Sequence, residues 1–424
     1  MLTPSENETL TKVGPGTPMG ELLRRYWHVV APVDEMNDRW TKRVRLFGED
    51  LVLFKDRSGK YGLIGEQCPH RRASMAYGIP TEDGIRCPYH GWKFDANGTC
   101  LEQPNEPEGS TFKEKVALPG YPVQELGGML FTYMGPAPAP LLPRYDGYAM
   151  PNAIRIVAKA VIPCNWLQIM ENSIDPVHLE WLHGNLQNFV DEARTGEKTF
   201  FALHHLDIAF EEFAYGIYKR RLLEGQPLDS SDWLVGHPVI FPTTLAVGQS
   251  GGRWKMYAFQ IRVPIDDTHT QHYWYTAFIP PEGADVPAHL LAQTRSYDFI
   301  YQNDDGSFKV ELIDGQDIMA WVTAGEVADR ARERLGWTDR GIIQYRKMLQ
   351  RELERVARGE DPMGTVRDPA QNEMIEFPME VGRAHFEDGF ASLARKSSWC
   401  YYPYIDDLVE LFVRSKREQV SATV

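Results

Sequence analysis

The sequence predicts an α+β protein: an N-terminal all-β unit followed by a larger C-terminal unit, an antiparallel sheet flanked by helices. Three observations predict it. Residues 40–134 read as several short alternating strands separated by turns. "GPAPAPLLP" at 135–143 is a proline-dense break that favours extended chain over helix or interior strand. Beyond it, strand-like stretches lead into a long segment of helical periodicity. With 424 residues the chain is long enough for more than one core.

The elements follow in order. "TPMGELLRRYWH" at 17–28 opens with Thr then Pro, a capped helix start, and Leu22, Leu23, Tyr26 and Trp27 fall on one helical face. Residues 1–40 are therefore expected to be a helical segment packed on the C-terminal unit. "RVRLFGEDLVLF" alternates, turns at "DRSGK" and returns as "YGLIG"; Asn97-Gly98 in "WKFDANGTC" is a hairpin signal. The β unit is placed at 41–140 and the C-terminal unit at 141–424. In the latter, "CNWLQIMENSIDPVHLEWLHGNL" reads as helical. "FAYGIYKRRLL", "WKMYAFQIRV" and "QHYWYTAFI" read as strands, and residues 314–356 as helical again.

Composition narrows the function. Hydrophobic residues make up 43% and charged residues 25%, an ordinary globular balance. A net charge of −14 opposes nucleic-acid binding. No apolar run reaches membrane-spanning length, and "MLTPSENETLTKVGPG" lacks a signal-peptide pattern. Five cysteines are too few for a disulfide framework in a chain this long. The reading is a cytoplasmic, reducing environment in which paired Cys and His serve as metal ligands. Cys100, Cys164 and Cys400 stand apart and read as small buried residues.

The first constellation is Cys68-x-His70, sixteen residues, then Cys87-x-x-His90, in two proline-stiffened loops of the β unit. Two Cys and two His can hold zinc, and that reading stays open. Against it, Cys-x-His is shorter than the usual zinc-knuckle spacing, and each loop mixes one sulfur with one imidazole. A dinuclear cluster can then take both sulfurs on one iron and both imidazoles on the other, which raises its potential above that of an all-cysteine cluster. "CPHR" and "CPYHGW" resemble the Rieske family. The resemblance implies a [2Fe–2S] cluster with Cys68 and Cys87 on one iron and His70 and His90 on the other.

The second constellation is "ENSIDPVHLEWLH". His178 and His183 are five residues apart, about 140° around a regular helix, so they share an ion only if the helix ends or distorts between them. Asp175 lies three residues before His178, within reach; it also reads as a helix N-cap with Pro176 at the first helical position. Asn172-x-x-Asp175-x-x-His178-x(4)-His183 resembles the mononuclear iron motif of the Rieske non-haem iron oxygenases, which join a Rieske domain to a catalytic domain in this order. Two His and one carboxylate leave open iron positions for dioxygen and substrate. Spacing leaves Asp304, Asp305, Asp314, Asp317, Glu326 and Asp329 as candidates for the carboxylate. "GQDIMAWVTAG" resembles the family's corresponding segment and implies Asp317, with Asp314 second. The resemblance further implies that Asn172 lies near the iron. It also implies that Asp175 is an electron bridge between His178 and His90 of a neighbouring subunit, in a homotrimer or a stacked hexamer.

"GPGTPMGELLRRYW" and "CPHRRASMAYG" resemble the phthalate-dioxygenase-like branch. "PCNWLQIMENSIDPVHLEWLHG" resembles oxygenase subunits that O-demethylate lignin-derived biaryl aromatic acids with release of formaldehyde. Ring hydroxylation of a phthalate-like carboxylate is the alternative, and a bare Rieske electron carrier the non-enzymatic one. No nicotinamide or flavin fingerprint is present: "GPGTPMG" has the wrong glycine spacing and no preceding strand. The resemblance therefore implies a separate flavin/ferredoxin-type reductase drawing on NAD(P)H. An aromatic acid needs a cation in an apolar pocket; Lys219, Arg220 and Arg221 are the candidates. As a strand they put Lys219 and Arg221 on one face and Arg220 on the other. Trp254, Tyr257 and Trp274 are candidate wall residues.

Overall fold

The computed structural model describes residues 2–198, 203–249, 254–378 and 386–422. Among them the strands form four sheets. Two small antiparallel sheets make the β unit: Thr41–Leu46, Glu49–Lys55, Tyr61–Gly65 and Gly120–Tyr121 in one, Ile79–Thr81, Gly84–Arg86, Lys93–Phe94 and Cys100–Glu102 in the other. They bury Val52, Phe54, Ile64, Ile85 and Phe94 between them. The Asn97-Gly98 turn closes the Lys93–Phe94/Cys100–Glu102 hairpin with Gly98 at φ 81°, where a side chain is strained.

The helix over residues 17–28 is shorter than its periodicity suggests. It spans Pro18–Leu23, capped by the Thr17 side chain, and Trp27–Pro32 is a strand paired with Met129–Tyr133. A β ladder takes over where the apolar run "WHVVAP" meets a partner strand. The first helix, Pro4–Thr11, docks on the C-terminal unit: the Asn7 amide donates to the Ala328 carbonyl at 3.1 Å, and Arg330 donates back to Asn7 at 3.0 Å.

The C-terminal unit is built on an eight-stranded sheet, antiparallel except where Ile154–Ile162 pairs in parallel with Arg295–Asp298. Its long central strands, Lys255–Pro264 and Thr270–Ile279, carry two cores: Trp166, Phe259 and Tyr345 lie in one, Phe278, Phe390 and Phe412 in the other. Two helices, Trp166–Ile174 and Ile313–Thr323, bring the second constellation together. Asn165 caps the first, accepting the Leu167 N–H while its own amide donates to the Thr11 and Asp267 carbonyls.

The buried carboxylate of Glu171 fixes that helix. It accepts from Arg330 Nη2 at 2.7 Å and Arg346 Nε at 2.7 Å, and Arg346 also pairs with Glu333. Burial opposes the charge, yet the two guanidiniums hold the carboxyl below its ordinary range. Glu171→Ala is expected to destabilise the fold by about 3–5 kcal/mol, since it leaves the buried Arg330 guanidinium without a carboxylate and Arg346 with Glu333 alone. A denaturation midpoint checks this. Because the folded-state pKa is depressed, this stability is present above the ordinary carboxylate pKa and is lost as pH falls through the lowered folded value.

Candidate active site

Two loops of the β unit hold the first constellation. Cys68 follows Tyr61–Gly65, with its N–H on the Ala73 carbonyl and its own carbonyl accepting from Arg72. Cys87 opens a turn closed by Gly91 N–H to the Cys87 carbonyl, with Gly91 at φ 79°. Both sulfurs are buried, at 1% and 2% exposure, whereas His70 is exposed and His90 half-exposed. The imidazoles lie 4.4 Å apart between ring centres, and Trp92 stacks on His70 at 4.5 Å. Burial pushes the Cys68 thiol up to about 11, with Cys87 adding to the shift. A metal is what deprotonates such a sulfur.

The geometry tests zinc. A tetrahedral ion with bonds of 2.0–2.3 Å needs ligand atoms about 3.5 Å apart. Among the described residues, the one set of three His, Cys, Asp or Glu atoms within 4.8 Å of one another is elsewhere, at His178, His183 and Asp317. The Cys/His set is not such a group; with its two sulfurs inward and its two imidazoles toward solvent, it suits a two-iron cluster.

At the second constellation, helix Trp166–Ile174 ends because Pro176 disfavours helical backbone at Asp175, which sits at ψ 120°. Asp175 therefore terminates a helix; it is not an N-cap. Its Oδ1 accepts the Val177 N–H at 2.7 Å, and its Oδ2 lies 3.6 Å from His178 Nδ1. Leu179–Leu186 then winds as a π-helix. Its i→i+5 hydrogen bonding widens the turn beyond that of an α-helix, which narrows the offset of about 140° and brings the His178 and His183 rings to 5.2 Å between centres. Glu180 anchors this turn, accepting the His205 N–H at 2.9 Å.

Asp317, on helix Ile313–Thr323, completes the convergence. Its Oδ1 lies 3.2 Å from His183 Nε2 and 3.9 Å from His178 Nε2. That oxygen is buried without a hydrogen bond, as is His178 Nδ1. Two imidazoles and one carboxylate aiming at a shared point fit a ferrous ion. Burial opposes ionisation of Asp317, but His183 and His178 hold its carboxyl below the ordinary range. Gln316, the residue before it, accepts from His183 Nδ1 through Oε1 at 2.9 Å, and its Nε2 donates to Gln187 Oε1 and the Val310 carbonyl. Gln316 is not among the sequence candidates; its one signal is its place in "GQD", a polar residue next to the candidate carboxylate. Asp314 instead accepts the Ser398 N–H at 2.6 Å. Asp304, Asp305, Glu326 and Asp329 are exposed and away from the convergence.

A cavity of about 320 Å³ opens on the three converging groups. Its floor is one face of the large sheet, where Lys219 pairs with His237, Val247 with Ala258, and Ala258 with Thr276. Asn172 and Lys219 line it. Lys219 is 6% exposed and makes no hydrogen bond or ion pair with the described residues; burial, aided by Arg221, pulls its pKa down to about 8 against Asp175 and Asp317. Arg220 and Arg221 do not line it. Arg220 points off the opposite face to Glu211 at 2.6 Å, and Arg221, though on the Lys219 face, pairs with Asp232 at 3.3 Å. Trp274 is a wall residue, but Trp254 stacks on Phe412 and Tyr257 faces the other side of the sheet. Trp399 adds a wall from the C-terminal helices, donating to Thr276 at 3.2 Å, and nothing local in the sequence announced it.

A Rieske fold ahead of a two-histidine, one-carboxylate cavity defines an oxygenase with two iron centres. The chain belongs to the Rieske non-haem iron oxygenases: the Rieske [2Fe-2S] domain family matches residues 26–122, and a "LigXa C-terminal domain like" family matches 300–383. It is 42% identical, over 89% of its length and 87% of the relative's, to the 5,5'-dehydrodivanillate O-demethylase oxygenase subunit of Sphingobium sp. SYK-6. It is 33% identical to the phthalate 4,5-dioxygenase oxygenase subunit of Pseudomonas putida over 90% and 93% of the two chains. Pseudomonas putida CBB5 NdmA with caffeine shares the fold at a TM-score of 0.60 and 19% identity, covering 82% and 97% of the chains. The protein is thus an enzyme with a Rieske [2Fe–2S] cluster and a mononuclear iron, and the non-enzymatic carrier reading falls. As an oxygenase subunit it works with a separate reductase or ferredoxin. No helix among the described residues is long and apolar enough to cross a membrane.

Proposed function

We propose that this oxygenase O-demethylates a methoxylated, lignin-derived aromatic acid of the biaryl or vanillate type, releasing formaldehyde. The observation that carries it is Lys219: a buried ammonium without a partner, in a largely apolar cavity beside the proposed iron ligands. Such a charge is costly unless an anion completes it. The 42% identity to an O-demethylase subunit supports the same reading.

In this reading Cys68, His70, Cys87 and His90 hold the cluster, and His178, His183 and Asp317 hold the iron. Bound there, the two groups supply electrons and dioxygen activation. The chain's residues do the rest. Gln316 holds the tautomer of His183 by accepting from its Nδ1, and the Asp175 carboxylate faces His178 Nδ1 at 3.6 Å and favours the proton there, so that both Nε2 atoms face the ion. Lys219 binds the substrate carboxylate, and the apolar walls of Leu245, Val247 and Trp274 exclude water from the ring. The subunits assemble as a homotrimer, alone or stacked as a hexamer, and a flavin/ferredoxin-type reductase drawing on NAD(P)H feeds them.

The test is turnover of the holoenzyme with a reductase on vanillate and 5,5'-dehydrodivanillate. Formaldehyde in proportion to oxygen consumed is expected; a diol without formaldehyde moves the assignment to ring hydroxylation, which the phthalate dioxygenase relative favours. Lys219→Met is expected to raise KM for the acid about 10- to 100-fold, the loss of a charge-assisted contact, with no loss of stability. The sign with pH follows from the depressed pKa: the ammonium that binds the acid is lost as pH rises through about 8, so KM climbs there in the wild type and not in the variant. Arg221, Arg262, Asp175 and Asp317 are the charges that set this value.

A further inference from the structure

Arg262 is fully buried, and among the described residues it forms no ion pair. Its Nη1 donates to the Gln260 carbonyl at 2.7 Å and its Nη2 to Gln260 Oε1 at 2.9 Å, while its Nε is buried without a partner. A guanidinium has donors and no acceptor, so it fixes which way the Gln260 amide is turned. The oxygen faces Arg262, and the nitrogen is left over. Gln260 lines the cavity, and its Nε2 makes no hydrogen bond with the described residues. It sits in the sheet row that pairs Leu245 with Gln260 and Gln260 with Trp274, all three of them cavity walls, next to the row that carries Lys219.

The cavity therefore offers two polar donors from its sheet floor, an ammonium and an oriented amide, each short of an acceptor. The arginine behind the amide lies close enough to Asp317 to help hold that carboxyl ionised. We propose that Gln260, held by Arg262 as a positioning residue, donates a hydrogen bond to a ring-borne oxygen of the substrate, so that the site selects oxygenated aromatic acids over unsubstituted ones. This rests on the aromatic-acid reading of the cavity: Lys219 takes the carboxylate, and Gln260 reads the substituent. A site built to donate to an oxygen rejects the analogue that lacks it, because its buried donor then stays unpaired.

The test separates the two readings by measuring binding without turnover. Vanillate and benzoate are titrated calorimetrically into oxidised, iron-loaded holoenzyme. Both carry the carboxylate, and only vanillate carries ring oxygens. The wild type is expected to bind vanillate at least about tenfold more tightly. Gln260→Glu keeps the contact with Arg262 and removes the donor; it is expected to lose that preference while binding benzoate nearly as before. Gln260→Met, which removes donor and acceptor without adding charge, is expected to lose it too. Arg262→Lys, which frees the amide to turn, is expected to reduce the preference with the cofactor content unchanged. A vanillate preference that survives both Gln260 variants overturns the proposal, as does equal binding of the two acids by the wild type. Because formaldehyde plays no part in this measurement, failure of the demethylation reading leaves the binding result standing, and the converse also holds.

Discussion

Asp317→Asn is expected to abolish turnover while leaving the Rieske centre intact. The reason lies in what each atom at the site is doing. Asp317 supplies the sole negative charge among the three converging groups, and its Oδ1 is the atom nearest both Nε2 atoms. An amide at that position binds a divalent ion weakly through its oxygen, and its nitrogen faces His183 as a donor. Asp314 does not substitute, because the Ser398 N–H occupies its Oδ2 and burial pushes its carboxyl up to about 6. Iron per chain is expected to fall from about three to about two, with sulfide unchanged. The dithionite-reduced Rieske electron paramagnetic resonance signal is expected to persist, and neither formaldehyde nor hydroxylated product to form. Retention of a third iron with wild-type turnover rules out Asp317 as a ligand.

The Rieske loops and the strand texture of both units were legible in the sequence because they are local. Cys68-x-His70 and Cys87-x-x-His90 each lie within one turn, and period-two alternation is written along each strand. The line between His178 and His183 was legible as a problem, since five residues on a regular helix point apart. Its solution was not, because a π-helix is chosen by packing and by the Glu180 anchor at His205, twenty-five residues away. Preferring Asp317 to Asp314 needed the resemblance; in the structure the two face different ways from one helix, Asp314 toward Ser398 and Asp317 toward the histidines. Strand alternation separated Arg220 from Lys219 and Arg221 correctly. It had no means of showing that Asp232 neutralises Arg221 and leaves Lys219 bare. The Gln260 clamp and the Trp399 wall are products of tertiary contact alone.

Asp175→Asn is the second large effect, and it separates holding iron from feeding it. The native carboxylate faces two groups at once: Oδ1 accepts the Val177 N–H at 2.7 Å, and Oδ2 stands 3.6 Å from His178 Nδ1, close enough to favour a proton there electrostatically. His178 points its Nε2 toward Asp317, so Nδ1 is the nitrogen that carries the proton, and a carboxylate is the group that receives it. Asparagine has one acceptor. With its oxygen on Val177 it turns an NH2 against the Nδ1–H; with its oxygen on His178 it turns that NH2 against the Val177 N–H. Either way one donor is orphaned. All three iron ligands remain, so both metal complements are expected to be retained. The Asp175 side chain is 24% exposed, and that open edge is where the neighbouring subunit's cluster histidine is proposed to meet it. Steady-state product formation is expected to fall about 100-fold or more, the upper end for loss of a ligand's supporting hydrogen bond. Reoxidation of a pre-reduced cluster in the presence of substrate and dioxygen is expected to slow in parallel. A variant that reoxidises its cluster and forms product at the wild-type rate removes Asp175 from the electron route, whatever its iron content.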